Sequence, residues 1–134
     1  MKIFLILIMV FCHIADDYYF QGILANMKQR SWWEKNYPAD LYKNDWLAAL
    51  ITHGFSWSFM IQLPIMVILI HKGMTDTKTA MQFLLFFSAN TAVHCVVDNI
   101  KANRKRINLI QDQLIHLIQI LLTWCFWVLA MKIV

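Results

Sequence analysis

Seven histidines and aspartates that could do metal chemistry recur within otherwise apolar stretches of this 134-residue chain. In chain order they are His13, Asp17, His53, His94, Asp98, Asp112 and His116. Imidazole and carboxylate groups are ligands that suit Zn, Fe, Mn or Ni. Seven such ligands are enough for two ions, with coordination positions left open to water. The residue types therefore predict a divalent transition-metal centre of two ions.

The spacing of these residues predicts that they share one face of each helix. Residues four apart lie one turn apart on the same helix face. In an antiparallel bundle, His-x-x-x-Asp in the first and third apolar stretches matches the depth of Asp-x-x-x-His in the fourth. We therefore expect two layers about 5 Å apart, and Ala49 stands where a fourth aspartate would complete the pattern. The layers are His13, His53, His94 and His116, and Asp17, Asp98 and Asp112.

Other polar residues near these stripes have weaker signals. Gln21, Asn90 and Gln119 lie on the same helix faces, and we expect them to orient the ligands through hydrogen bonds. Asp16 is expected to point about 100° away from Asp17 on an α-helix, outside the ligand set. Asp45 fits a charge at a helix N-terminus, and its membership of the site stays open.

A basic run follows Asp98 and precedes Asp112, so it should stand at the mouth of the centre. Its cationic side chains are Lys101, Arg104, Lys105 and Arg106. They are candidate contacts for a phosphate-bearing substrate. The alternative is that they serve membrane topology and lipid headgroup contact.

The elements that must position these residues are long apolar helices. The chain is 60% hydrophobic and 15% charged, against about 45–50% and about 25% in soluble domains. Four apolar stretches, at about 3–26, 45–71, 79–102 and 107–134, each reach the roughly 20 residues that span a bilayer core. We predict an all-α polytopic membrane protein, with one domain (1–134) that forms a four-transmembrane-helix antiparallel bundle. The aromatic-rich connection after helix 1 should lie along the membrane surface.

Charge distribution predicts the topology. The first and third connections carry eight basic residues and the opposite side carries four. The positive-inside rule therefore predicts a multi-pass membrane protein with both termini outside and the site in the cytoplasmic half. The same distribution explains the net charge of +4, so nucleic-acid binding is not predicted. The three cysteines lack CxxC spacing, which argues against a disulfide framework or a thiolate zinc site.

Several motifs together resemble a known family. They are HxxxDYxxQ at 13–21, LAxxK at 24–28, HG at 53–54, HxxxDxxK at 94–101 and DQxxH at 112–116. The set resembles, over nearly the whole chain, a small prokaryotic and phage membrane protein family known as domain of unknown function 3307. The resemblance implies a four-helix bacterial or phage inner-membrane protein, but the family has no established reaction. Its members often carry a further histidine where this chain has Ala49.

The leading functional prediction is a membrane-embedded, metal-dependent hydrolase. Asp17, Asp98 and Asp112 would act in catalysis as well as in metal binding, and a water activated by two ions would attack an amphiphilic phosphoester such as a lipid phosphate. One alternative is a proton or divalent-ion relay or transporter that uses the same cluster. Another is a nonenzymatic phage or host membrane interaction protein. The predicted partners are the lipid bilayer and a lipid-phosphate substrate, and a homo-oligomer is compatible with the sequence.

Overall fold

The computed structural model describes residues 2–134, apart from the side chain of Ala130. Within these residues the regular structure is entirely helical. The elements are α1 (Lys2–Ile14) continuing as a π-helical turn (Ala15–Phe20), α2 (Leu24–Met27), α3 (Arg30–Asn36), a 3-10 turn (Asp40–Tyr42), α4 (Asp45–His71), α5 (Thr77–Ala102), and α6 (Leu109–Cys125) continuing as a second π-helical turn (Phe126–Ala130). The all-α prediction is confirmed.

Four helical segments are long and apolar enough to cross a membrane, as the sequence predicted. They are Lys2–Phe20, Asp40–His71, Thr77–Ala102 and Leu109–Leu129, with mean hydropathies of 1.8, 1.6, 1.5 and 1.4. Each holds at least 19 residues, close to the roughly 20 that a bilayer core requires. The chain therefore has the dimensions and composition of a four-span membrane protein.

The four long helices form a closed ring in which α1 and α5 each pack against both α4 and α6. Neighbouring helices run in opposite directions. The indole Nε1 of Trp124 in α6 donates to the backbone oxygen of Lys2, whereas Gln113, earlier in α6, bonds His13 near the end of α1. Apolar residues fill the half of the ring nearer the chain termini. The polar residues are therefore concentrated in the other half.

The ends of the first and last long helices differ from the predicted bounds. The first ends at Phe20 rather than near residue 26, because Gly22 turns the chain with a φ of +51°, a conformation that glycine adopts at little cost. The last ends at Ala130. Beyond it Lys132 has a φ of +51° and the amide of Ile133 donates to the oxygen of Trp127, so the chain turns back and buries Ile133.

The first and third connections meet at one end of the bundle. The side-chain amide of Asn103 donates to the backbone oxygen of Lys28 at 3.1 Å, and its oxygen accepts from the backbone amide of Arg30 at 2.8 Å. The two basic connections therefore lie on the same side of the molecule. Which side of a membrane this is stays a prediction.

Candidate metal centre

The structure brings all seven predicted ligand residues together inside the ring. None of their side chains is more than 9% exposed. The rings of His94 and His116 stack at 4.1 Å, and Trp57 stacks on His94 at 4.3 Å and lies 5.3 Å from His116. These contacts between rings fix the plane of His94 at the middle of the cluster.

One group of ligand atoms comes from Asp17, His53 and His94, whose metal-binding atoms lie within 4.8 Å of one another. The Nε2 atom of His53 is 3.2 Å from Asp17 Oδ1 and 3.1 Å from His94 Nε2. Two ligands on a tetrahedral zinc ion, bonded at 2.0–2.1 Å, are about 3.3–3.4 Å apart. The spacing of these atoms is therefore close to what one ion requires.

A second group consists of His94, Asp98 and His116. The carboxylate of Asp98 faces both groups, since its Oδ2 is 3.4 Å from His53 Nε2 while its Oδ1 is 3.5 Å from His116 Nε2. Asp112 adds another oxygen 3.5 Å from His116 Nε2. His94 thus belongs to both groups and Asp98 lies between them, which is an arrangement that could hold two ions.

Several buried polar atoms in the cluster lack a hydrogen-bond partner. They include His94 Nδ1, His116 Nε2, Asp16 Oδ2 and Asp112 Oδ1. Buried polar atoms are normally hydrogen-bonded, and an unpaired lone pair on nitrogen or oxygen is what a metal ion takes. The donor set and its unpaired atoms therefore fit a divalent transition metal.

The charges in the cluster also do not balance. Four aspartates, Asp16, Asp17, Asp98 and Asp112, face two lysines, and the ammonium groups lie 2.5 Å from Asp98 Oδ2 for Lys28 and 2.6 Å from Asp112 Oδ2 for Lys101. With neutral histidines, two negative charges have no counter-charge. Buried charges are costly unless paired, so a divalent cation, or two protonated histidines, would balance the site.

His13 lies beside the two groups rather than within either. Its Nδ1 accepts a hydrogen bond from Trp57 Nε1 at 2.7 Å, and its Nε2 is 3.0 Å from Gln113 Oε1. Because an indole N–H can only donate, Nδ1 is the acceptor and Nε2 carries the proton. Both nitrogens of His13 are therefore hydrogen-bonded, whereas a metal ligand needs one nitrogen lone pair free for the ion.

Two of the three amide residues contact cluster histidines directly. Gln21 Nε2 donates to His53 Nε2 at 2.7 Å, and Gln119 Oε1 lies 3.1 Å from His116 Nδ1. Asn90 acts one step further away, because its backbone oxygen accepts from Gln119 Nε2 and its side chain bonds Thr123. The bond to His116 Nδ1 helps to orient that ring with Nε2 toward Asp98 and Asp112. The bond to His53 occupies the nitrogen that faces Asp17 and His94, so an ion bound there would have to displace the Gln21 amide.

Asp16 departs from its expected position. It is 2% exposed, accepts a hydrogen bond from Ser56 Oγ at 2.6 Å, and lies 3.7 Å from His53 Nδ1. The reason is the π-helical turn Ala15–Phe20, whose wider i→i+5 bonding changes the angle between successive side chains. Asp16 and Asp17 therefore both face His53, Asp16 at its Nδ1 atom and Asp17 at its Nε2 atom.

Sequence reasoning also missed Lys28 and Gln113. Lys28 follows α2 and reaches Asp98 from the first connection, and its only signal was a place in the LAxxK motif. Gln113 Nε2 lies 3.1 Å from both Asp17 Oδ2 and Asp112 Oδ2. It follows Asp112 directly and so lies off the four-residue stripe that guided the prediction.

A cavity of about 180 Å³ reaches the cluster from the side of the connections. It is lined by Asp17, Tyr18, Gln21, Lys28, Asp98, Lys101, Leu109 and Gln113. Of the four basic residues proposed at the mouth, only Lys101 lines it, whereas Arg104, Lys105 and Arg106 are exposed. Asp45 lies in the first turn of α4, and among the described residues it has no hydrogen bond or ion pair to the cluster.

Comparison with protein-family models, curated proteins and solved structures found no match. The resemblance to domain of unknown function 3307 therefore stays a prediction. What can be inferred about function rests on the geometry of the cluster itself.

Proposed function

We propose that this protein is a membrane-embedded, metal-dependent hydrolase with a dinuclear His/Asp centre that acts on an amphiphilic phosphoester. The observation that carries the proposal is the pair of ligand groups that share His94, with Asp98 between them. A structural zinc site is closed by four protein ligands, whereas each group here offers three residues next to a cavity. Open positions of this kind are typical of catalytic metals.

The proposed setting is the bacterial inner membrane. Its support is the four apolar helices, together with many large apolar side chains on the outside of the ring, such as Phe4, Phe11 and Leu122. The two basic connections meet at one end, so the positive-inside rule assigns that end to the cytoplasm. The centre would then open toward the cytoplasmic headgroup region.

The residues divide the chemical work by position. Two bound ions would activate a water molecule and polarise a phosphoryl oxygen. Asp17, His53 and His94 would hold one ion, and Asp98 and His116, with His94 shared between the two groups, would hold the other. Asp112, whose Oδ1 has no hydrogen bond, can accept the proton of the attacking water as the phosphorus–oxygen ester bond breaks. The released alcohol would then take up a proton.

Lys28 and Lys101 support an anionic substrate. Both ammonium groups line the cavity and contact carboxylates of the centre. Bound ions would compete for these carboxylates and leave the ammonium groups available to phosphate oxygens. Ammonium–phosphate contacts of this kind are strong, charge-assisted hydrogen bonds.

A relay or transporter remains the second candidate, because polar contacts continue beyond the histidines. From His116 they run through Gln119 to Asn90 and Thr123. Past this point the buried side chains are mostly apolar, and the polar exceptions Ser58 and Gln62 on α4 have no hydrogen bond that joins them to this chain of contacts among the described residues. The apolar side chains include Leu5, Ile61, Ile65, Ile120 and Trp127. Transport would require a polar path through this half, so we place hydrolysis first.

Elemental analysis of the purified protein tests the metal proposal. We expect about two equivalents in the wild type, by the ligand count of a dinuclear site. His94→Ala should lose both because the groups share His94, whereas His13→Gln should retain metal with affinity about 10- to 100-fold weaker, as for residues that act through ligands. The matched control is His71→Ala, since His71 is exposed at the end of α4.

Two further results decide between the candidates. A folded wild type that holds no metal and is unchanged by EDTA would rule out the hydrolase. Proton or divalent-ion flux in proteoliposomes, lost in His94→Ala, would then support the relay. Release of phosphate from an alkyl phosphate by the metal-loaded wild type, without flux, would support hydrolysis.

A further inference from the structure

The polar cavity adjoins an apolar groove on the outside of the ring. The groove has a volume of about 530 Å³ and follows the seam between α1 and α6. It is lined by Val10, His13, Ile14, Tyr18, Tyr19, Gln113 and Leu117. Tyr18 and Gln113 line both this groove and the polar cavity. The side chains of Tyr18 and Gln113 therefore lie between the groove and the polar cavity.

Two other large grooves on the surface do not have this relation. One lies against α5 around Met81 and Leu85, and the other lies between α1 and α4 around Ile8 and Val67. Neither shares a lining residue with the polar cavity. Apolar grooves are ordinary features of a helix bundle, so contact with the cavity is what distinguishes the α1–α6 seam.

Gln113 occupies the partition between the two spaces. Its Oε1 lies 3.0 Å from His13 Nε2, and its Nε2 lies 3.1 Å from Asp17 Oδ2 and from Asp112 Oδ2. All three of these neighbours belong to the cluster. A side chain that bonds the centre and also faces the groove can respond to a molecule that enters along the seam.

The cavity is polar and the groove is apolar, so together they match the two ends of an amphiphile. Lys28 and Lys101 give the cavity two ammonium groups, whereas Val10, Ile14 and Leu117 give the groove aliphatic walls. A phosphate would match the ammonium groups, and a hydrocarbon chain would match the groove. Surrounding lipid chains are as apolar as the groove, so the groove must select a chain by shape.

We infer that the α1–α6 seam is the access route and tail-binding groove for a single-chain phosphate monoester. The headgroup would enter the cavity past Gln113, and the hydrocarbon chain would stay in the groove. This inference rests on the proposed function, because the phosphate must reach a metal-loaded centre. It narrows the substrate class from an amphiphilic phosphoester to one whose apolar chain begins next to the phosphate.

A pair of substitutions on α6 tests the groove. Leu117→Trp fills it, whereas Leu122→Trp places the same indole on the same helix away from it. Both leucines are exposed on the surface of the ring, at 39% and 62%. The probes are decyl phosphonate, which resembles the phosphate monoester but has no ester bond to hydrolyse, and inorganic phosphate. Their dissociation constants are measured by calorimetry on zinc-loaded protein in phosphatidylcholine nanodiscs.

We expect the wild type and Leu122→Trp to bind decyl phosphonate more tightly than inorganic phosphate. Leu117→Trp should weaken decyl phosphonate binding by about tenfold or more, the equivalent of an overpacked site, and should leave the binding of inorganic phosphate unchanged. Lys28→Met should weaken both probes, because it removes a headgroup contact. This combination assigns the tail to the groove and the phosphate to the cavity.

Other outcomes overturn the inference or the function separately. Equal binding of both probes by the zinc-loaded wild type would mean that ordinary bilayer lipid fills the groove. Equal effects of Leu117→Trp and Leu122→Trp would also overturn the inference. Neither result bears on metal binding. A wild type that takes up none of Zn, Fe, Mn and Ni would instead refute the proposed function.

Discussion

Replacing Asp98 by asparagine removes one negative charge with little change in shape, and it should affect both metal binding and stability. Asp98 lies between the two ligand groups, 3.4 Å from His53 Nε2 and 3.5 Å from His116 Nε2. It also holds the ammonium group of Lys28 at 2.5 Å. Asp98→Asn would therefore weaken the coordination of both proposed ions, and it leaves Lys28 without the carboxylate that it contacts.

The stability cost follows from the burial of this ion pair. The side chains are 3% exposed for Asp98 and 10% for Lys28. Breaking a buried pair by removing one partner costs about 3–5 kcal/mol. We expect about 3 kcal/mol, the lower end of that range, because Lys28 borders the cavity and can recover some hydration. In the double variant, Lys28→Met is added to Asp98→Asn and removes the unpaired ammonium group. Its stability should return to within about 1 kcal/mol of wild type, since replacing both partners of a buried pair is often near neutral.

The assay measures the free energy of unfolding by SDS titration, first in EDTA and then with zinc. In EDTA, wild type, Lys28→Met, Asp98→Asn and the double variant complete a double-mutant cycle. With free zinc at 100 times its dissociation constant, the wild type should gain about 2.7 kcal/mol for each ion that it binds. The double variant should gain little, because it still lacks Asp98.

Two results would refute the reasoning. Additive effects of the two substitutions in EDTA would show that Lys28 and Asp98 do not interact in the folded protein. A zinc-dependent gain in the double variant equal to that of the wild type would show that Asp98 is not a ligand.

Two further predictions concern packing and a helix cap. Gly54→Ala should destabilise the protein by about 1–3 kcal/mol, the usual cost of overpacking, because a Cβ there would lie 2.5 Å from Cys95 Sγ and 3.3 Å from the backbone oxygen of Thr91. SDS titration measures the free energy of unfolding of Gly54→Ala. Adding Cys95→Ala to this variant should recover part of the lost stability, and no recovery would contradict the prediction. Hydrogen bonds from Thr79 hold the pKa of Asp76 below its usual range. The ionised Asp76 cap therefore stabilises α5 fully above the unfolded pKa of about 3.9. This stabilisation is lost as the pH falls through the lower pKa of the folded protein. Exchange protection of the Thr79 amide should therefore fall below about pH 4, and an equal fall in Asp76→Asn, whose cap stays neutral, would contradict this assignment.

The existence of the long helices and of the polar stripes could be read directly from the sequence. Apolar runs near 20 residues long have few alternatives to helices, and residues four apart share a helix face whatever the rest of the fold does. For this reason the pairs His94–Asp98 and Asp112–His116 were found without any tertiary information. Because neighbouring helices in the bundle were expected to run antiparallel, these pairs were expected at the same depth inside the ring.

The positions that sequence reasoning misplaced depend on local departures from the α-helix. The π-helical turn Ala15–Phe20 brings Asp16 into the cluster, although α-helical geometry predicts that it points away. The turn packs against α4, and a count of residues along an α-helix contains no signal for the wider i→i+5 bonding. The structure likewise engages both nitrogens of His13 through Trp57 and Gln113.

The sequence by itself determined the helices, the ligand types and the depth at which those ligands lie, because each of these depends on composition and on the fixed rise and rotation of a helix. Only the tertiary structure decided which atoms face one another. Lys28 contacts Asp98, which is 70 positions away in the chain, and His94 stacks against both Trp57 and His116. Such contacts depend on how the connections close and how neighbouring helices rotate, and helical periodicity contains no information about either.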